Sequence, residues 1–224
     1  MTNVFDIIGP IMIGPSSSHT AGAARMGMIA RKLLGEEPKK AVIVLYDSFA
    51  KTGKGHGTDK ALIAGILGFQ PDDERIRDSF SYANKNGLEF EFVDGGNCEY
   101  HPNTARIILN SENASVDTVI ASVGGGMIRV MEINGMTVSI KAELSTTIIF
   151  AKDVKGTIAA AAKIFTQQGI NIAFMQVFRF EKMGNSIMVF ETDQSVPQST
   201  LDMLRSTEYT RKVAYIDNTT DSSN

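Results

Sequence analysis

Three short stretches of this chain hold residue types that move protons or grip small anions. In Gly14-Pro15-Ser16-Ser17-Ser18-His19-Thr20, three hydroxyls and an imidazole stand just before an Ala/Met/Ile-rich segment with helical spacing. Free backbone N–H groups at a helix start, flanked by hydroxyls, suit a carboxylate or phosphate. His19 is placed to donate to that anion or to shuttle a proton. The plainer reading is an ordinary Ser/Thr N-cap. In Thr52-Gly53-Lys54-Gly55-His56-Gly57-Thr58-Asp59, His56 is framed by alternating glycines that let backbone approach a ligand. Neither the P-loop nor the dinucleotide spacing is met, and the plainer reading is a flexible turn with an exposed histidine. Tyr100-His101-Pro102-Asn103-Thr104 holds the last of three histidines. All three are expected on Gly/Ser/Pro-rich loops, a distribution that favours one shared site. Gly124-Gly125-Gly126 fits either a close backbone approach or a bend between strands.

Soft metal ligands are nearly absent. Cys98 is the single cysteine, so an internal disulfide is excluded. Cys98 and His101 are too few for a zinc site. A polar loop rich in chemistry beside so few ligands suggests half of an active site, with the other half on another polypeptide.

Composition narrows the classes. The 224 residues carry a formal charge of −3 and are 43% hydrophobic. That content supports packed cores. No basic cluster points to nucleic acid, and no apolar run approaches a membrane span. Without the marks of a secretion signal at its start, the chain is expected in the cytoplasm.

The elements that position these residues divide near Leu144. Before it, a mixed α/β region is predicted. It comprises a helix over Ser18–Leu34, a strand at Val42–Leu45, helices over Thr58–Leu67 and Asp73–Asn86, a strand at Leu88–Val93, and strands at Ala105–Leu109, Val116–Val123, Met127–Ile133 and Met136–Ile140. Asn134-Gly135 marks a hairpin. After it the order is β-α-β-β-α-β: strand Ser145–Ala151, helix Gly156–Gln168, a hairpin of Asn171–Phe180 and Ser186–Glu191 across Met183-Gly184-Asn185, helix Pro197–Arg205, and strand Tyr209–Ile216. The domains expected are 1–143 and 144–217, with a frayed tail over 218–224. Met12, Met26, Met28, Met175 and Met188 read as core filling.

Together the four motifs resemble those of the iron–sulfur-dependent bacterial L-serine dehydratases, and among these the β subunit of the two-subunit type. The resemblance rests on Gly14–Thr20, Thr52–Asp59, His101-Pro102-Asn103 and Ser122-Val123-Gly124-Gly125-Gly126, and spans about Val4 to Met131. The C-terminal stretch resembles an ACT domain through Asp153-Val154-Lys155-Gly156 and Gly169-Ile170-Asn171-Ile172. The resemblance implies an α+β fold. Its N-terminal domain would be like the allosteric substrate-binding domain of phosphoglycerate dehydrogenases, and its C-terminal ACT domain would be ferredoxin-like.

It also implies a reaction, L-serine to pyruvate and ammonia. A [4Fe-4S] cluster acts in it as Lewis acid and is held by a cysteine-containing α subunit. With Cys98 alone this chain cannot hold such a cluster, so no metal ligand is expected here and the chain alone should be inactive. On the same basis Ser16, Ser18, His19 and Thr20 would bind or orient the serine carboxylate. His56 would take the α-proton, with His19 as the second catalytic imidazole. His101 and Asn103 would touch the substrate or support His56, and Lys54 and Asp59 would position their loop. Self-association through the ACT domain is expected. The alternatives are a non-catalytic amino-acid sensor and, behind it, a self-contained hydrolase using Ser18 or His19.

Overall fold

Six strands and two glycine-matched helices frame the N-terminal unit. The computed structural model describes Gly14, residues 16–181 and residues 184–217. Met12, Pro15, Met183 and the 218–224 tail, each assigned a role from sequence, lie outside the described residues. Two units are compact in themselves, Met1–Lys141 and Ala142–Asn224.

In the first unit, β1 (Lys40–Leu45), β2 (Glu89–Asp94), β3 (Thr104–Asn110), β4 (Ser115–Gly124), β5 (Met127–Ile133) and β6 (Met136–Ile140) form one sheet. Its order is β2-β1-β3-β4-β5-β6. β1 and β2 run parallel, and every other pair is antiparallel. Register places Ile43 opposite Ile107, Ile107 opposite Thr118, and Ile120 opposite Val130. Alternation therefore sends these buried side chains to one face, where α1 (Ala23–Leu34) packs on β3 and β4. Asn134 and Gly135, at φ 50° and 76°, make the tight turn between β5 and β6.

α1 ends at Gly35, which turns left-handed at φ 74° and returns its N–H to the Arg31 carbonyl. It packs on α3 (Thr58–Ile66) with almost no side chain between the backbones. A Cβ on Gly27 would lie 2.3 Å from the Leu62 carbonyl oxygen, and one on Gly65 only 1.9 Å from that of Ala24. Arg31 Nη1 fastens the far end by donating to the Ile66 carbonyl at 2.9 Å.

One sequence expectation is corrected here. The glycine-rich stretch around His56 is not a loop, because Asp47–His56 is a helix, α2. Gly57 (φ 69°) then joins it to α3. His56 is thus the last residue of a helix, and the three histidines do not all ride on loops. Interior glycines cost about 1 kcal/mol each against alanine, which is why the stretch reads as a turn. Tertiary anchors at the start of α2 offset that cost. The Asp47 N–H donates to the Gly96 carbonyl at 2.8 Å and the Ser48 N–H to the Pro102 carbonyl at 2.9 Å. The helix predicted over Asp73–Asn86 is a 3-10 turn, Glu74–Asp78, running into α4 (Ser79–Lys85).

The second unit contains β7 (Ser145–Lys152), α5 (Thr157–Gln167), β8 (Ile172–Arg179), β9 (Asn185–Thr192), α6 (Gln198–Arg205) and β10 (Thr210–Ile216). The antiparallel sheet order is β10-β7-β9-β8, the ferredoxin-like arrangement predicted from the sequence. Ile149, Phe165, Phe190, Leu201, Leu204 and Val213 share its core, with the Phe165 and Phe190 rings 5.0 Å apart. Among the described residues, no helix is long and apolar enough to cross a membrane.

Candidate active site

The Ser16–Thr20 segment enters α1 through a π-helical turn, Ser17–Gly22. Such wide turns recur at functional sites because they push side chains out of the helical register. Ser16 caps this turn: its backbone is extended at φ −140°, and its Oγ accepts the His19 N–H at 3.2 Å. The cap reading is therefore realised for Ser16. Ser18 is half-buried in the turn, and Thr20 is buried, its Oγ1 donating to the His56 carbonyl at 3.4 Å.

His19 leans against α2. Its Nε2 lies 3.1 Å from Thr52 Oγ1 and 3.3 Å from Ser48 Oγ, while Nδ1 lies 3.4 Å from Ser16 Oγ. The ring meets Phe49 edge-on at 5.2 Å and the His56 ring at 4.9 Å, tilted by 49°. Burial is the larger cause of a lowered pKa at His19, and the neighbouring charge of His56 adds to it. His19 is thus held neutral further into the acid range than a free imidazole.

A cleft of about 270 Å³ opens beside this pair, lined by Gly14, Thr20, Gly55, His56, Gly57, Lys60, Ile76 and Arg77. Two of the sequence candidates, Thr20 and His56, line it. Lys54 is exposed on the last turn of α2, and Asp59 uses Oδ1 to accept the Lys60 N–H at 2.8 Å. Lys60 and Arg77 bring positive charge to the cleft, and neither was singled out from the sequence. Ser48 was also missed. Its signal was legible, since Asp47-Ser48 directly follows a strand and makes a standard helix start.

The His101 loop reaches this site through backbone. Cys98 N–H donates to Asp47 Oδ2 at 3.0 Å, and the Ser48–Pro102 bond described above binds the loop to the helix turn that contacts His19. The His101 ring does not join the other two imidazoles in a ring contact. Its Nδ1 accepts the Asn103 N–H at 3.1 Å. The Cys98 thiol is 3.6 Å from the His101 carbonyl, to which it donates. Among the described residues, no three His, Cys, Asp or Glu side chains gather as a metal-binding group. A single thiol turned to a backbone carbonyl does not fit an iron–sulfur cluster, which needs several thiolates.

Ser122 backs the π turn. A Cβ on Gly22 would meet Ser122 Oγ at 2.1 Å, so only glycine fits there. The Ser122 N–H donates to the Asn103 carbonyl at 2.9 Å, and its buried Oγ has no hydrogen-bond partner. Gly124, Gly125 and Gly126, at φ 102°, 59° and 75°, turn β4 into β5. Arg25 of α1 donates to the Gly126 carbonyl at 3.2 Å. The triple glycine thus serves as a turn that an α1 side chain grips.

Residues 3–132 match the family model described as serine dehydratase beta chain, and residues 145–208 match the ACT domain model. The chain is 42% identical over 202 residues to a probable L-serine dehydratase, beta chain, of Bacillus subtilis, covering 90% of this chain and 92% of that protein. It is 34% identical over 219 residues to an L-serine dehydratase, beta chain, of Peptoniphilus asaccharolyticus, covering 96% and 98%. The L-serine dehydratase 2 of Escherichia coli is 37% identical over 153 residues, which cover 57% of this chain and 33% of that protein.

Proposed function

The chain belongs to the serine dehydratase beta-chain family, and on that premise we propose that it is the β subunit of an L-serine dehydratase. The reaction is the lyase conversion of L-serine to pyruvate and ammonia. The observation that carries this reading is the His19–His56 pair, 4.9 Å apart beside a cleft bordered by Lys60 and Arg77. Two imidazoles suit removal and return of a proton near neutral pH, and two cations suit a carboxylate.

In this reading His56 takes the α-proton, while Thr20, with Lys60 and Arg77, faces the carboxylate. Ser16 and Ser18 shape the turn that presents His19. His101 and Asn103 hold the loop that fastens α2. Lys54, exposed beside His56, faces outward. His56 is itself exposed in this chain, and a base in open solvent lacks the shelter that strengthens proton transfer and charge stabilisation. A cysteine-containing α subunit that closes over the cleft and supplies the [4Fe-4S] cluster would complete the site. The complex would be cytoplasmic and self-associated through the ACT unit.

The test is purification of this chain with and without its α partner, followed by iron analysis and serine turnover. Iron and activity are expected only with the partner. Turnover by this chain alone would overturn the two-chain reading. Serine binding without turnover, even with the partner present, would instead favour an amino-acid sensor. In the assembled enzyme, His56→Ala should lower turnover on the order of a hundredfold or more. Near-normal turnover would remove His56 as the base.

A further inference from the structure

We propose that Thr52 is a positioning residue for His19: it holds the neutral imidazole in the Nε2–H tautomer and leaves Nδ1, beside Ser16, as the ring's one proton acceptor. The catalytic meaning of this step rests on the serine dehydratase reading, but the tautomer itself does not. A threonine hydroxyl has one proton and two lone pairs. Thr52 uses its proton on the Ser48 carbonyl, one helical turn back, at 2.8 Å. Towards His19 Nε2, at 3.1 Å, it therefore presents a lone pair. An N–H there makes a hydrogen bond, whereas a bare nitrogen would set lone pair against lone pair.

Ser48 agrees with this assignment. Its Oγ is 3.3 Å from the same nitrogen and 3.4 Å from Thr52 Oγ1. It can turn its proton to the remaining Thr52 lone pair and still accept from Nε2–H. The opposite edge of the ring is compatible with this assignment. Ser16 Oγ already accepts the His19 backbone N–H at 3.2 Å and keeps its own proton for Nδ1, 3.4 Å away. With the ring proton on Nε2, Nδ1 is bare and accepts from that hydroxyl.

In this tautomer Nε2 already carries the ring proton, so His19 accepts a further proton only at Nδ1. Its accepting nitrogen looks along the Ser16 side of the turn. Direct abstraction from substrate falls to His56, and His19 exchanges protons through the Ser16 hydroxyl or a ligand that displaces it.

The experiment uses the full chain labelled with ¹⁵N-histidine, at about pH 8, where an ordinary imidazole is neutral. Two-bond ¹H–¹⁵N correlations identify each tautomer, and the His19 signals are assigned by their loss in His19→Gln. The expected result is a protonated Nε2 and a bare Nδ1 at His19. Thr52→Val should shift the ring to a tautomer mixture, and Thr52→Ser should restore the wild-type pattern. With the α partner, Thr52→Val should lose roughly three- to tenfold in serine turnover, the worth of one neutral hydrogen bond, and Thr52→Ser should regain it. A protonated Nδ1 in the wild type overturns the proposal, as does a Thr52→Val spectrum unchanged from wild type. Both outcomes are read without the partner, so they stand apart from any failure of the serine dehydratase reading, which shows as absent turnover in the complex.

Discussion

The His19 and His56 rings, centroids 4.9 Å apart, come from two helical segments that meet only in the folded chain: the π turn ahead of α1 and the last residue of α2. Their proximity has a measurable electrostatic cost. His19 titrates below the ordinary 6.5, first because it is partly buried and second because His56 adds positive charge. In His56→Asn the second cause disappears, and an NMR titration should show the His19 pKa rising part of the way back. The sign for stability follows. The unfolded chain binds this proton first as the solution becomes acidic, so His19's contribution to stability is complete above 6.5. It declines as pH falls from there towards the lowered folded value. Urea unfolding across that window should show the decline.

Two glycine substitutions should act in opposite directions. Gly65→Ala puts a methyl 1.9 Å from the Ala24 carbonyl oxygen. It should lower unfolding free energy by about 1–3 kcal/mol or more and reduce serine turnover by shifting α1 against α3. Gly55→Ala meets nothing within 4 Å, inside a helix. It should raise stability by about 0.4–1 kcal/mol while raising KM for serine, because Gly55 lines the cleft. Calorimetry and steady-state kinetics on the same preparations measure both.

Asp47 holds φ at 44° while its carboxylate accepts the Cys98 N–H. That backbone region is costly for most side chains and tolerated by Asp and Asn. Asp47→Asn keeps an acceptor and the tolerance, whereas Asp47→Ala loses both. The alanine variant should be destabilised by about 1–3 kcal/mol, more than the asparagine variant. Its 96–104 loop should also exchange backbone amides faster.

Self-association, if it proceeds through the ACT unit, should involve β8. This strand edges its sheet, with Phe174 50% and Met175 42% exposed, and Phe180 just beyond it 68% exposed, so Met175 lies on an open edge strand and not in the core expected from the sequence. Phe174→Glu should shift light-scattering mass towards the monomer. A wild-type chain that is monomeric at high concentration would remove the proposal.

Periodicity and punctuation made much of the fold legible. The six strands of the first sheet, the Asn134-Gly135 turn and the β-α-β-β-α-β order were all readable, because alternation and glycine placement are local signals. The order β2-β1-β3 was not, because pairing is set by packing at long range. α2 was hidden by Gly53 and Gly55, whose low helix propensity is overridden by anchors from Gly96 and Pro102. His19 and His56 were found from their neighbours in sequence. Thr52 stands at the edge of its motif and Ser48 signals only a helix start, because their contacts with a ring 33 and 29 positions earlier are made by the fold.

Arg25 reaches the turn that holds Gly126 across 101 positions of sequence, and Ser122 stops the segment around Gly22 from behind. A nascent polypeptide ending before β4 would already contain every histidine, yet would lack the wall that orients the first of them. The constellation therefore cannot be inherited by a short peptide, and it is expected to form late, after β4 and β5 have closed on α1.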